Sequence, residues 1–210
     1  MKTANRLLWQ RCSHLVVAVL LPLLSACGGG GDDGDGGDGG DFVPITSTQP
    51  ANLVAAAIGD ATANLVSTGT YNNTIVNGSS GGTATVSGSK SYSGYQSCGS
   101  DCVSTSNTAN LTITYNDYYA PPGRSSNTKV RLTGTVTFTD NRRSTQSGLS
   151  YSSSGEQRVT ATSMLSVRLE ITDSTGRTYG YADTLSALTT YGSGSWDGWM
   201  RPSNGVTYSF

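Results

Sequence analysis

From Thr68 onward the sequence holds several runs in which apolar side chains recur at every second position, and this period constrains the fold more than any other feature of the chain. The clearest run is Lys129 to Thr139. Val130, Leu132, Val136 and Phe138 fall on one face, and Arg131, Thr133, Thr135 and Thr137 on the other. Leu111, Ile113 and Tyr115 alternate with threonine, and Leu165, Val167, Leu169 and Ile171 alternate with Ser, Arg, Glu and Thr before the turn Asp173-Ser174-Thr175-Gly176. Tyr71 to Val76 and Thr83 to Ser91 flank a turn at Asn77-Gly78-Ser79-Ser80-Gly81-Gly82, and Tyr179 to Leu188 and Val206 to Phe210 complete the set. Short strands joined by Gly- and Ser-rich turns predict an all-β domain, mainly an antiparallel sandwich or small barrel.

One segment breaks this period. After Pro50, the residues Leu53, Val54, Ala57, Ile58, Ala61 and Leu65 trace one face of a helix, with the proline in its first turn and Gly59 as a weak point. The reading is therefore one short N-terminal helix packed on a sheet. The segment has no Lys or Arg to meet anionic lipid heads, which argues against a membrane-surface helix.

Residues 28–41 contain only glycine and aspartate. They bury no apolar area and repel one another through Asp32, Asp33, Asp35, Asp38 and Asp41, so this stretch reads as a disordered tether. Asp33-Gly34-Asp35-Gly36 is similar to part of a calcium loop, but the closing glutamate and flanking helices are missing, and no metal or other cofactor is expected. Before the tether, Lys2, Arg6 and Arg11 precede an apolar run from Leu15 to Leu24, interrupted by Pro22. Ten helical residues span about 15 Å, half of a bilayer core, so the run suits an export signal better than a permanent membrane helix.

The signal ends in Leu24-Ser25-Ala26-Cys27: a branched apolar residue, two small ones and a cysteine. This resembles the lipobox of bacterial lipoproteins. The resemblance covers only the first 27 residues and implies cleavage before Cys27, a diacylglycerol thioether on its sulfur, and acylation of the new amine. Gly28 stands where an aspartate resembles an inner-membrane retention signal, which points to lipid anchoring at the outer membrane, on the periplasmic face or the cell surface. The expected organisation is a signal peptide over residues 1–26, a lipidated and tethered stretch over 27–41, and one β-rich domain over 42–210.

Two cysteines remain for that domain. Cys98 and Cys102 enclose a small loop, and an exported protein favours joining them as a structural disulfide. A redox pair of the C-x-x-C kind has a different spacing.

The only histidine, His14, lies in the signal, which removes Ser-His-Asp and Cys-His catalysis and His-ligated metals from the mature chain. The carboxylates Asp60, Asp101, Asp117, Asp140, Asp173, Asp183, Asp197, Glu156 and Glu170 fall mostly in turn-like contexts and read as solvated, not as a catalytic pair. A non-enzymatic protein is expected.

With 13% charged residues and a net charge of −1, nothing calls for nucleic acid as a partner. Trp196 and Trp199, among glycines and serines, and Tyr118 and Tyr119, before Pro121-Pro122, are the candidate contacts for a protein or carbohydrate partner. Trp196 or Trp199 as a core plug is the plainer alternative, and Arg142-Arg143 reads as a decorated turn.

The leading expectation is a lipid-anchored β-domain for binding or an envelope-structural role. Alternatives are a small ligand-carrying barrel and an integral outer-membrane barrel, the latter because Val206, Tyr208 and Phe210 resemble the terminal strand of such barrels.

Overall fold

A computed structural model describes residues 41–120, 127–193 and 195–210. The export signal, the lipobox and all of the tether except Asp41 lie outside the described residues, as do Pro121-Pro122. Asp41 is the first residue of β1 (Asp41–Val43), which leads into α1 (Thr48–Ala63), the one α-helix among the described residues.

The rest of the domain is strand: β2 (Gly69–Asn77), β3 (Thr83–Gly99), β4 (Cys102–Ala120), β5 (Thr128–Asp140), β6 (Arg143–Ser147), β7 (Ser150–Ser154), β8 (Gln157–Ala161), β9 (Leu165–Thr172), β10 (Thr178–Leu185), β11 (Ala187–Gly192), β12 (Asp197–Arg201) and β13 (Tyr208–Ser209). All belong to one 13-stranded sheet. The expected all-β class with one short N-terminal helix is what the chain forms. The sheet curls into a half-barrel, and α1 takes the place of a second layer.

The curl starts at β5. One edge of this strand pairs with β4, while the other is shared between two partners. Thr128 to Thr133 pair with β9, and Thr137 to Asp140 pair with β8. From that fork one branch runs β9–β10–β1 and the other β8–β11–β12–β13. Every pairing is antiparallel except that of β1 with β10. Both branches reach α1, which touches β5, β8, β9, β11, β12 and β13.

Alternation is obeyed with the apolar side inward. Leu111, Ile113, Leu132, Phe138, Leu165, Leu169, Leu185, Leu188 and Met200 are fully buried, and each such side chain stabilises the fold by about 1.5–3 kcal/mol relative to exposure. The helix meets them with smaller residues. Its buried face is Pro50, Ala51, Val54, Ala55, Ile58, Gly59, Ala61 and Thr62, whereas Leu53, expected inside, is 46% exposed. The face is rotated because a helix inside a tightly curled sheet must come close to it, and small side chains permit that approach.

Polar bonds then fix the helix in place. Thr62 Oγ1 donates to the Ile58 carbonyl at 2.7 Å, so the Tyr115 hydroxyl, 2.9 Å away, donates to Thr62. At the other end of the same turn, Lys90 Nζ donates to the Ala63 and Val66 carbonyls at 2.7 and 2.9 Å. A cation at a helix C-terminus satisfies orphan carbonyls and opposes the negative end of the dipole. Burial lowers the Lys90 pKa, with the Asp140 carboxylate opposing that shift.

Strand boundaries differ from the sequence reading where apolar residues thin out. Tyr179 to Leu188 is two strands, β10 and the start of β11, that belong to different branches. Trp196-Asp197-Gly198-Trp199, not counted among the strands from sequence, runs into β12. The polar β6 and β7 had no apolar alternation to reveal them.

Candidate functional site

Past Lys90 on β3 the sequence reads Ser-Tyr-Ser-Gly-Tyr-Gln-Ser, and on the partner strand Cys102 to Thr108 holds one aliphatic residue, Val103. Strands with so few apolar side chains have nothing to contribute to a core. β3 and β4 nonetheless continue pairing to Gly99 and Cys102. β6 joins the free edge of β4, and β7 joins β6. The result is a four-stranded extension in the order β3–β4–β6–β7, carried beyond the helix-filled part of the sheet. Its outermost strand, Ser150 to Ser154, is exposed at every residue.

Two turns close the tip. Cys98 and Cys102 sit across the β3–β4 turn with Cα atoms 5.1 Å apart, within disulfide span, as the sequence reading expected. Asp101 in that turn has a positive φ of 58° and its carbonyl accepts the Gly148 N–H of the β6–β7 turn at 3.0 Å. Leu149 beside it is fully exposed.

The register assigns one face of this extension an aromatic character. Tyr92 lies opposite Asn107, Val103 opposite Gln146, and Gln146 opposite Tyr151. Because Val103 and Asn107 are an even number of residues apart on β4, Tyr92 and Tyr151 share a face. Tyr95, next to the bulge between Ser93 and Gln96, is the most exposed of the three at 78%, against 54% for Tyr92 and 69% for Tyr151. Tyr151 is oriented by its hydroxyl, 3.0 Å from Ser144 Oγ. Rings standing on a backbone ladder and separated by Ser, Thr and Gln form a flat, uncharged surface, suited to stacking and short hydrogen bonds.

The residues singled out from sequence lie elsewhere. Trp196 is 7% exposed, lies against Gly59 of α1 and donates from Nε1 to Asp60 at 2.9 Å, so it is a wall of the core. Trp199 is half-buried on β12, opposite Thr189 and Ser209. Tyr118 is buried, its ring 5.5 Å from that of Tyr115. Its neighbour Tyr119 points the other way, lies 5.3 Å from the Arg131 guanidinium and donates to Glu170 at 3.3 Å. These four aromatic residues are not brought together.

The carboxylates also differ from the solvated reading. Asp140 is buried, and accepts from Arg142 at 3.0 and 2.8 Å and from the Gln157 amide at 3.1 Å. Burial by itself would raise its pKa, but the Arg142 side chain and backbone N–H together with Gln157 outweigh that and hold it below the usual range. Arg142 thus serves this buried carboxylate and does not merely decorate a turn. Asp183 accepts from the Ile45, Thr184 and Ser203 N–H groups, tying the chain before α1 to β10 and to the turn after β12. Asp173 folds the β9–β10 turn by accepting from Thr175 and Arg177 N–H groups. Among the described residues no three His, Cys, Asp or Glu side chains converge as a metal site.

Comparison with known proteins returned no matching family model, no similar curated protein and no similar solved structure.

Proposed function

We propose that the chain is a lipid-anchored, non-enzymatic binding protein of the bacterial cell envelope, held through Cys27 and presenting the Tyr92–Tyr95–Tyr151 face to a protein or glycan partner. The observation that carries the reading is the direction of the alternation. Apolar side chains of the sheet turn toward α1, and the outward positions of β4, β5 and β9 hold Thr, Ser, Arg, Lys and Glu. A barrel that crosses a membrane has the reverse arrangement, with an apolar band facing lipid. A domain with a polar outer face belongs in water, and a separate device must keep it at a membrane. The lipobox supplies that device, and acyl chains at about 0.8 kcal/mol per buried methylene give it the required strength.

Two further observations favour display over a ligand-carrying barrel. The concave side of the sheet is occupied by α1, where a carrier would keep its pocket. The terminal Phe210 exchanges two backbone bonds with Gly198 at 3.0 Å and packs against the core with Tyr208, instead of facing outward.

Photo-crosslinking in the producing cell tests the contact face. A benzoylphenylalanine in place of Tyr95 or Tyr151 is expected to give discrete adducts. The same group in place of Tyr191, exposed on a different branch of the sheet, serves as the control. Equal labelling from all three positions, or none from the extension, would remove the tyrosine face as the binding surface.

A further inference from the structure

Arg168 on β9 stands directly opposite Arg131 on β5, both on the outer face of the sheet. Like charges placed across strands destabilise a sheet, so such a row needs acceptors. Arg131 has one: its Nε and Nη2 both donate to the Asp117 carboxylate in a two-pronged pair. Asp117 is placed for this by the bulge between Tyr115 and Tyr118, where its φ is 55°, and by its N–H donating to Thr133 Oγ1 at 3.2 Å. Arg168 has none. Its Nε is buried without a hydrogen-bond partner, and among the described residues no carboxylate lies within ion-pair distance of it.

The Arg168 guanidinium is nevertheless held. Its Cζ lies 3.8 Å from the centre of the Phe42 ring. That ring reaches over because its cross-strand neighbour is Gly180, where a side chain would crowd both the Leu169 carbonyl and Phe42 itself. With a face stacked on Phe42 and Nε buried, the two Nη groups are what is left for a ligand, and their paired N–H groups are matched by a planar two-oxygen acceptor. Beside it is a depression of about 150 Å³ lined by Asp117, Arg131, Thr133, Ser166, Val167 and Arg168.

We propose that this depression binds a carboxylate, seated end-on across the two Nη groups of Arg168. The Ser166 and Thr133 hydroxyls lie on the same cross-strand row next to it and serve as secondary donors. A single carboxylate fits better than a doubly charged phosphate, since Asp117 already contributes a negative charge to the lining. The site is on the outer face of β9 and is independent of the tyrosine extension.

Arginine side-chain NMR of the purified full chain provides the test. Sodium acetate is titrated at neutral pH against sodium chloride of equal ionic strength, following the Arg168 Nε–H signal. N-acetyl-dialanine and its C-terminal amide form a second arm, which separates a free small acid from a chain-terminal carboxylate. The expected result is a saturable acetate shift with a Kd at or below about 10 mM, roughly tenfold weaker in Arg168→Lys, which keeps the charge but loses the fork. Phe42→Leu, which frees the guanidinium, is expected to weaken binding several-fold with Arg168 still present. A shift equally produced by chloride, a linear non-saturating shift, or unchanged affinity in Arg168→Lys would overturn the proposal.

Discussion

Gly59 occupies the middle of α1, where glycine costs about 1 kcal/mol relative to alanine. It is retained there because a methyl group would overlap the Trp196 indole, which closes the core at that point. Gly59→Ala should therefore lower stability by about 1–3 kcal/mol in denaturant unfolding despite the gain in helix propensity. Thr190 presents the opposite case. It is fully buried on β11, and its hydroxyl has no partner among the described residues. Thr190→Val keeps the shape and removes the unpaired group, and should raise stability by about 1 kcal/mol. Asp140 adds a pH dependence. Its folded pKa lies below the unfolded value of about 3.9, so its contribution is complete above that pH and lost as pH falls through the folded value. Acid unfolding of Asp140→Asn should accordingly show a shallower loss below about pH 4 than the parent. Neither Gly59 nor Asp140 reads correctly from sequence alone. One looks like a helix defect and the other like a solvated carboxylate, because Trp196 is 137 residues from Gly59 and Gln157 is 17 residues from Asp140, and only folding brings each to its partner.

At the scale of elements, the long alternating runs were legible and their ends were not. β5 and β9 have the boundaries that Val130–Phe138 and Leu165–Ile171 imply, since each buried face carries four aliphatic or aromatic anchors. The polar ends of β3 and β4 and the whole of β6 and β7 have no such anchors, and backbone pairing alone sustains them. The aromatic pairs that the sequence made prominent, Trp196–Trp199 and Tyr118–Tyr119, are each divided by strand alternation between inner and outer surroundings. The exposed tyrosines came from the stretch with the fewest apolar neighbours, which is the signal that marks them. Single-layer strands with solvent on both sides open at low free energy. Replacing both cysteines, Cys98→Ser with Cys102→Ser, should speed amide exchange in Tyr92 to Thr105 and Ser144 to Ser153 while leaving the melting temperature of the core nearly unchanged. The disulfide closes a small loop and its stabilisation of roughly 2 kcal/mol is confined to the tip.

For the molecule as a whole, the proposed role depends on a domain that is content in water and an anchor that is not part of its fold. The curled sheet encloses α1 with its apolar face and leaves Thr, Ser, Lys, Arg and Glu outside, so the fold offers a bilayer no apolar band. Among the described residues no helix is long and apolar enough to cross a membrane. In the proposed role, membrane attachment rests on Cys27, which the sequence places beyond a tether of glycine and aspartate. Carbonate extraction of membranes from cells producing the parent chain and Cys27→Ala tests this most directly. The parent should remain with the membrane pellet, and Cys27→Ala should be recovered in the soluble fraction with an intact β-sheet spectrum. Retention of folded Cys27→Ala in the carbonate pellet would contradict the account, because a domain with this polar exterior would then be holding itself in the bilayer.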